Sequence, residues 1–300
     1  MRVQYFGLFV LILFAFKAEA TYLFAENKFE SNRNWQEFSG DERLNVRNLL
    51  VYLKRSSTGA KLIELAKRKA EEQGQSILDI IKAGRGSLTD TTLVRRFTTG
   101  NPEDIEYEMK SVVFINENHN QYDALMDLAH ELTHFVFREE FNPYTKNFTL
   151  AEFIHSTIEG TGGEVQAFMM ECKVHFELFP SKTPRGNCQN VVDGETGHLS
   201  KHKTVRRFYQ VGAYFESFKK MLDRHGIQES FPLVTEENAS FVSSAYGIPY
   251  PVAAFEEYLT VINKVCENDR KRLGYMQQRS PASASKFQVG YQQRCKGFVD

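Results

Sequence analysis

Two histidines four residues apart enclose a glutamate in the run His130-Glu131-Leu132-Thr133-His134. On an α-helix each residue turns by ~100°, so positions i and i+4 differ by only ~40° around the axis and both imidazoles leave from one side. That arrangement suits a zinc ion, which takes imidazole nitrogens as ligands and in catalytic sites keeps one position open for water. Glu131 lies next to the first imidazole and can reach that water without binding the metal itself. The spacing points to a general base beside a metal-activated nucleophile. The bland alternative is a surface helix carrying two unrelated histidines. Leu132 and Phe135 weigh against it, because they make the segment core-facing.

The elements that must position these groups can be read from periodicity. Tyr122, Leu125, Leu128, Leu132 and Phe135 fall on one apolar stripe, predicting a helix over residues 121–138 that ends at Asn142-Pro143. Residues 92–98 and 111–116 are rich in β-branched and aromatic side chains and read as strands, with a turn at Gly100-Asn101-Pro102 between them. The second strand is expected as an edge strand that an extended substrate could pair with. Helices are predicted over residues 41–53 and 59–73, with residues 77–82 extending or repeating the latter before the break at Gly84-Arg85-Gly86-Ser87. Further helices are predicted from Glu164 to about Leu178, then over residues 204–224 and 252–273, and residues 280–285 read as a flexible stretch. The expected fold class is α+β, mostly helical, with a small sheet ahead of the His130 helix and a helical C-terminal region. The expected division is a signal peptide at residues 1–20, an N-terminal lobe or propeptide at 21–108, a zinc-binding core at 109–180, a helical subdomain at 181–275 and a flexible tail at 276–300.

With the motif and its helix in view, the chain resembles the zincin metallopeptidases, over about residues 111–178. The metzincin branch needs a glycine three residues after the second histidine and a histidine three further on. Phe137 and Glu140 stand there instead. The resemblance therefore implies the gluzincin branch and a zincin-like fold, in which a glutamate on a following helix is the third zinc ligand. Glu164 is the favoured candidate, since Ala167 three positions on would let its helix approach closely. Thr161-Gly162-Gly163-Glu164 also reads as a capping box, which would give Glu164 a purely structural task. Glu159, followed by Gly160, is the alternate ligand, and Glu171 or a histidine remains open; His175 could support the site from behind, against the plainer reading of a satisfied, partly buried histidine. The resemblance also implies a tyrosine or histidine that steadies the oxyanion, with Tyr246, Tyr250 and His225 as candidates. Asp127, one turn before His130, is a candidate to orient a ligand imidazole, against the plainer reading of a solvated helix residue.

Composition bounds the remaining choices. Lys plus Arg number 37 against 38 for Asp plus Glu, so no basic excess suggests a nucleic-acid partner. Arg2, the apolar run over residues 6–16 and Ala18-Glu19-Ala20 together read as a cleavable signal peptide, implying a secreted or periplasmic protein without stable membrane insertion. In an oxidising compartment the four cysteines suggest disulfides, and Cys172–Cys188 with Cys266–Cys295 closes the shortest loops of the three possible pairings. Asn147 and Asn238 begin glycosylation sequons. The leading function is a zinc peptidase acting on a protein or peptide substrate. The alternatives are a zinc enzyme acting on cell-wall peptides or amides, and a secreted binding protein with a relic site.

Overall fold

Hydroxyl and carboxylate side chains set the starts of the N-terminal helices. Asp41, Ser56 and Ser76 each accept a hydrogen bond from a backbone N–H in the first turn of α1 (Glu42–Leu53), α2 (Ser57–Glu72) and α3 (Ile77–Ile80). The computed structural model describes residues 29–139, 142–144, 148–181, 187–296 and 298. The signal region, Glu140 and Asn147 lie outside them.

The chain leaves α3 directly into strand β1 (Ile81–Gly84), so the helix expected to run through residue 82 stops two residues early. Parallel pairing of Ile81 with Val113 is what draws this segment into a sheet. β2 (Leu88–Arg96) and β3 (Glu106–Asn116) pair antiparallel from Leu88↔Phe114 to Arg96↔Glu106, giving a three-stranded mixed sheet in the order β1-β3-β2. Both strands begin earlier than their residue types suggest. Pairing with each other extends them over charged and threonine-rich stretches that propensity alone disfavours. β3 is therefore the central strand, not an edge. Val113 and Ile115 are fully buried on its inner face, and β1 and β2 are the two edge strands.

α4 (Gln121–Phe137) follows, capped by Asn120, whose side chain accepts from the N–H of Asp123. Its stripe of Leu125, Leu128, Leu132 and Phe135 is buried with Leu49, Leu53 and Leu62 from the first helices. Each such side chain contributes about 1.5–3 kcal/mol when fully buried, so this face fixes the helix against the sheet. α5 (Leu150–Ile158) and α6 (Glu164–Leu178) come next, and α6 packs along α4.

In the C-terminal half α7 (Lys201–Phe208) and α8 (Phe215–Arg224) replace the single helix expected over residues 204–224. The break forms where Tyr209 and Val211 exchange backbone hydrogen bonds with Thr235, and Gly212 turns the chain at φ +53°. α9 (Tyr250–Arg279) is longer than its apolar pattern implied, and α10 (Pro281–Cys295) occupies the stretch expected as a flexible tail. Pro281 supplies the reason: as a first-turn residue it starts a helix without needing its missing N–H. The expected disulfides are both formed, Cys172–Cys188 and Cys266–Cys295, and the second fastens α10 to α9. Buried Asp269 on α9 accepts from Arg95 of β2 at 2.6 Å and from Arg294 of α10 at 2.8 Å, tying the sheet edge to the C-terminal helices. Among the described residues no helix is long and apolar enough to cross a membrane.

Candidate metal centre

Four-residue spacing on α4 places the His130 and His134 rings 4.8 Å apart, centroid to centroid. The carboxylate of Glu164 meets both: Oε2 lies 3.2 Å from His130 Nε2 and Oε1 lies 3.4 Å from His134 Nε2. One ligand atom from each of the three residues falls within 4.8 Å of the others. Two imidazole nitrogens and one carboxylate oxygen form a donor set of the kind zinc takes.

Glycines bring these elements together. Gly162 has φ +69°, and a Cβ there would stand 2.1 Å from the backbone nitrogen of Arg138, so only glycine lets the loop touch the end of α4. At that contact His134 Nδ1–H donates to the Gly162 carbonyl at 2.7 Å. A carbonyl can only accept, so the proton is on Nδ1 and the Nε2 lone pair is left for a metal. Arg138 Nη2 also lies 3.1 Å from Nδ1, but with that nitrogen donating to Gly162 the guanidinium has no lone pair to meet there. Its partner is Glu164, at 3.5 Å. The Gly162 N–H in turn donates to Gln166 Oε1 at 2.9 Å. Gly163 caps α6 with no side-chain bond, and Glu164 is the first residue of that helix. The capping-box arrangement is thus absent, and the Glu164 side chain faces the histidines. Ala167, fully buried one turn on, leaves the close approach of α6 unobstructed.

Glu171, weighed as a ligand, approaches the other side of the first imidazole: its Oε2 is 3.2 Å from His130 Nδ1. This is the orienting position, and it leaves His130 Nε2 towards Glu164. Glu159 points elsewhere, accepting from the Tyr209 hydroxyl at 2.9 Å and lying 3.3 Å from His155 Nδ1. Asp127 pairs with His119 at 2.9 Å and not with a ligand imidazole. His175 is buried with its Nδ1 2.7 Å from the Tyr122 hydroxyl, away from the three-residue group.

No protein family, characterised protein or solved structure matches this chain. What the site can do must therefore come from its own geometry.

Glu131 is 6% exposed beside this group, and burial raises its carboxyl above the usual carboxylate range despite the opposing pull of His134 and His130. Burial pushes Glu164 the same way, but His134 and His130 overcome it and hold Glu164 well below that range. Burial would lower His130, yet Glu164 and Glu171 raise it well above an ordinary imidazole. The set is thus a buried carboxylate facing two imidazoles, with a second carboxyl, Glu131, biased towards accepting a proton. Tyr250, at the start of α9, lines the same cleft. Burial and then the charges of Glu164 and Glu131 push its phenol well above the usual value, so it remains an O–H donor. Tyr246 sits half-exposed on the cleft wall, whereas His225 stacks on Phe298 outside it.

The cleft encloses about 730 Å³ between β2, α4 and the start of α9. Its wall includes the free edge of β2, the strand that the sequence reading did not place at the edge. Two contributors escaped that reading. Thr89 of β2 donates to Glu131 at 2.8 Å across 42 residues of sequence, and no local pattern announces such a contact. Gly162 reads from sequence as a loop and capping residue between the two expected helices, and nothing local marks its contact with the end of α4.

Proposed function

We propose that this chain is a secreted zinc metallopeptidase that hydrolyses peptide bonds in protein or peptide substrates. The observation that carries the reading is the meeting of His130, His134 and Glu164 within 4.8 Å, with the Glu131 carboxyl buried beside them. His130, His134 and Glu164 would hold a zinc ion, which would supply Lewis acidity to a water nucleophile and to the scissile carbonyl. Glu131 takes the proton from the attacking water and delivers it to the departing amide nitrogen. Tyr250 donates a hydrogen bond to the oxygen on which negative charge develops. The Gly162 carbonyl and Glu171 keep the two imidazoles turned, and the β2 edge offers backbone groups to an extended substrate. Two disulfides support an oxidising, extracellular setting.

The test is Glu131→Gln compared with wild type, each assayed for zinc content and for hydrolysis of unfolded casein. The reading expects equal zinc and at least a 100-fold loss of rate, the scale of general-base catalysis. Equal hydrolysis by both proteins refutes it.

A further inference from the structure

Alternation puts Thr89 and Thr91 on one face of β2, with Ser87, just before the strand, in step with them, because side chains two residues apart share a face. Each hydroxyl is engaged. Ser87 Oγ accepts from the Asn116 N–H at 3.0 Å, and Thr91 Oγ1 lies 3.0 Å from Ser111 Oγ, so both neighbours fasten β2 to the rest of the sheet. Ser87 is held from the other side as well, its carbonyl accepting from the Ser244 hydroxyl at 3.3 Å. The Thr89 hydroxyl, between them, is turned to α4 and not to the sheet. Its Oγ1 stands 2.8 Å from Glu131 Oε2 and 2.9 Å from the Glu131 carbonyl oxygen.

We propose that Thr89 is a positioning residue for Glu131: a hydroxyl on a strand pinned at both sides locks the carboxylate of the base in one rotamer at the floor of the cleft. This rests on the metallopeptidase reading and assigns a residue that neither the motif nor α4 contains.

The chemistry of the contact favours this role over simple capping of a helix carbonyl. A threonine hydroxyl has one hydrogen and two lone pairs, and here it meets two oxygens of the same residue. Against the ionised carboxylate, the hydrogen goes to Oε2 in a charge-assisted bond. Once Oε1 holds the proton taken from water, Oε2 is the carbonyl oxygen of the neutral acid and still accepts from the Thr89 hydroxyl. The same two groups stay paired on both sides of the proton transfer, and no atom has to move by more than a hydroxyl rotation. Glu131 Oε1 makes no hydrogen bond among the described residues and is the oxygen left for the water. A glutamate has three rotatable torsions, so fixing one oxygen from outside its own helix removes the freedom that would otherwise spoil alignment.

The experiment compares wild type, Thr89→Ser, Thr89→Val and Glu131→Gln, reading zinc content, kcat and KM on casein-derived peptides. Valine keeps the β-branched shape on the strand and removes only the hydroxyl. The proposal expects Thr89→Val to lose about 10- to 100-fold in kcat, with KM within about twofold and zinc unchanged, and Thr89→Ser to stay within about threefold of wild type. Full kcat in Thr89→Val while Glu131→Gln is inactive overturns the positioning role alone. Equal damage in the serine and valine variants also overturns it, because packing and not the hydroxyl would then matter. Full activity in Glu131→Gln overturns the peptidase reading itself. Crystal structures of wild type and Thr89→Val decide the question independently of any substrate. The proposal expects the Glu131 side chain to leave its rotamer in the valine variant while the α4 backbone stays in place. A superposable carboxylate contradicts it.

Discussion

Replacing Asp269 with alanine leaves two guanidinium groups facing each other with no acid between them. The Asp269 side chain is 0% exposed, and its partners Arg95 and Arg294 are 5% and 16% exposed. Little of either guanidinium meets solvent, and Arg95 keeps its stack on the Tyr144 ring at 3.9 Å. Removing one partner of a buried ion pair costs about 3–5 kcal/mol, because the remaining charge is uncompensated. That is a large share of a typical total stability of about 5–15 kcal/mol. In a chain of this size each kcal/mol moves Tm by about 2–4 °C, so Asp269→Ala should melt about 10 °C lower, by calorimetry or circular dichroism at pH 7. Asp269→Asn keeps an acceptor oxygen and should fall between the two. Arg294→Met should cost less than Asp269→Ala, since Asp269 then still pairs with Arg95. An Asp269→Ala protein within about 1 kcal/mol of wild type would refute the reasoning, showing that the two arginines reach water or other acids without it.

Loss of the Cys266–Cys295 bridge by a double serine substitution should cost about 3.5 kcal/mol from the loop of 29 residues it closes, read by urea unfolding with and without reductant. Glu177 caps α2, accepting from Ser56 Oγ, the Thr58 N–H and Thr58 Oγ1, and these bonds hold its carboxyl down at about 2 against an ordinary 4.5. Its contribution is therefore complete above about pH 4.5 and lost as pH falls through 2, so Glu177→Gln should cost about 1 kcal/mol at pH 7 and progressively less as pH falls through 2. Equal Tm differences across that range would contradict the cap. Gly162→Ala must displace either the loop or the end of α4, and the His134 anchor with it. Zinc affinity should fall about 10- to 100-fold by competition with a chelating dye, while the far-ultraviolet spectrum is retained.

Much of this architecture was legible because single side chains carry local rules. The α4 stripe, its proline-marked end and the helical spacing of His130 and His134 are written within one segment, and the disulfides that form are the pairing with the shortest loops, which sequence left open among three. What stayed hidden depends on distant partners. Residues 88–91 lie outside the strand that composition suggests and join it only because Phe114 and Val113 are available to pair with Leu88 and Thr89. Ile81 joins a helix by composition and a strand by its parallel neighbour. The 280–285 stretch reads as flexible, yet Pro281 starts a helix that Cys295 and Arg294 hold against α9. The candidate site divides along the same line. His130, Glu131 and His134 form one word of sequence. Glu164, 30 residues later, needed the turn at Gly162 to choose it over Glu159, whose side chain is taken by Tyr209.

Metal stoichiometry tests the central claim most directly. Purified chain dialysed against trace zinc should carry one zinc per molecule by plasma mass spectrometry. Glu164→Gln and His134→Gln should lose it, and Glu159→Gln should keep it. Wild-type protein without bound metal, or a Glu164→Gln variant that retains zinc with undiminished affinity, would contradict the account.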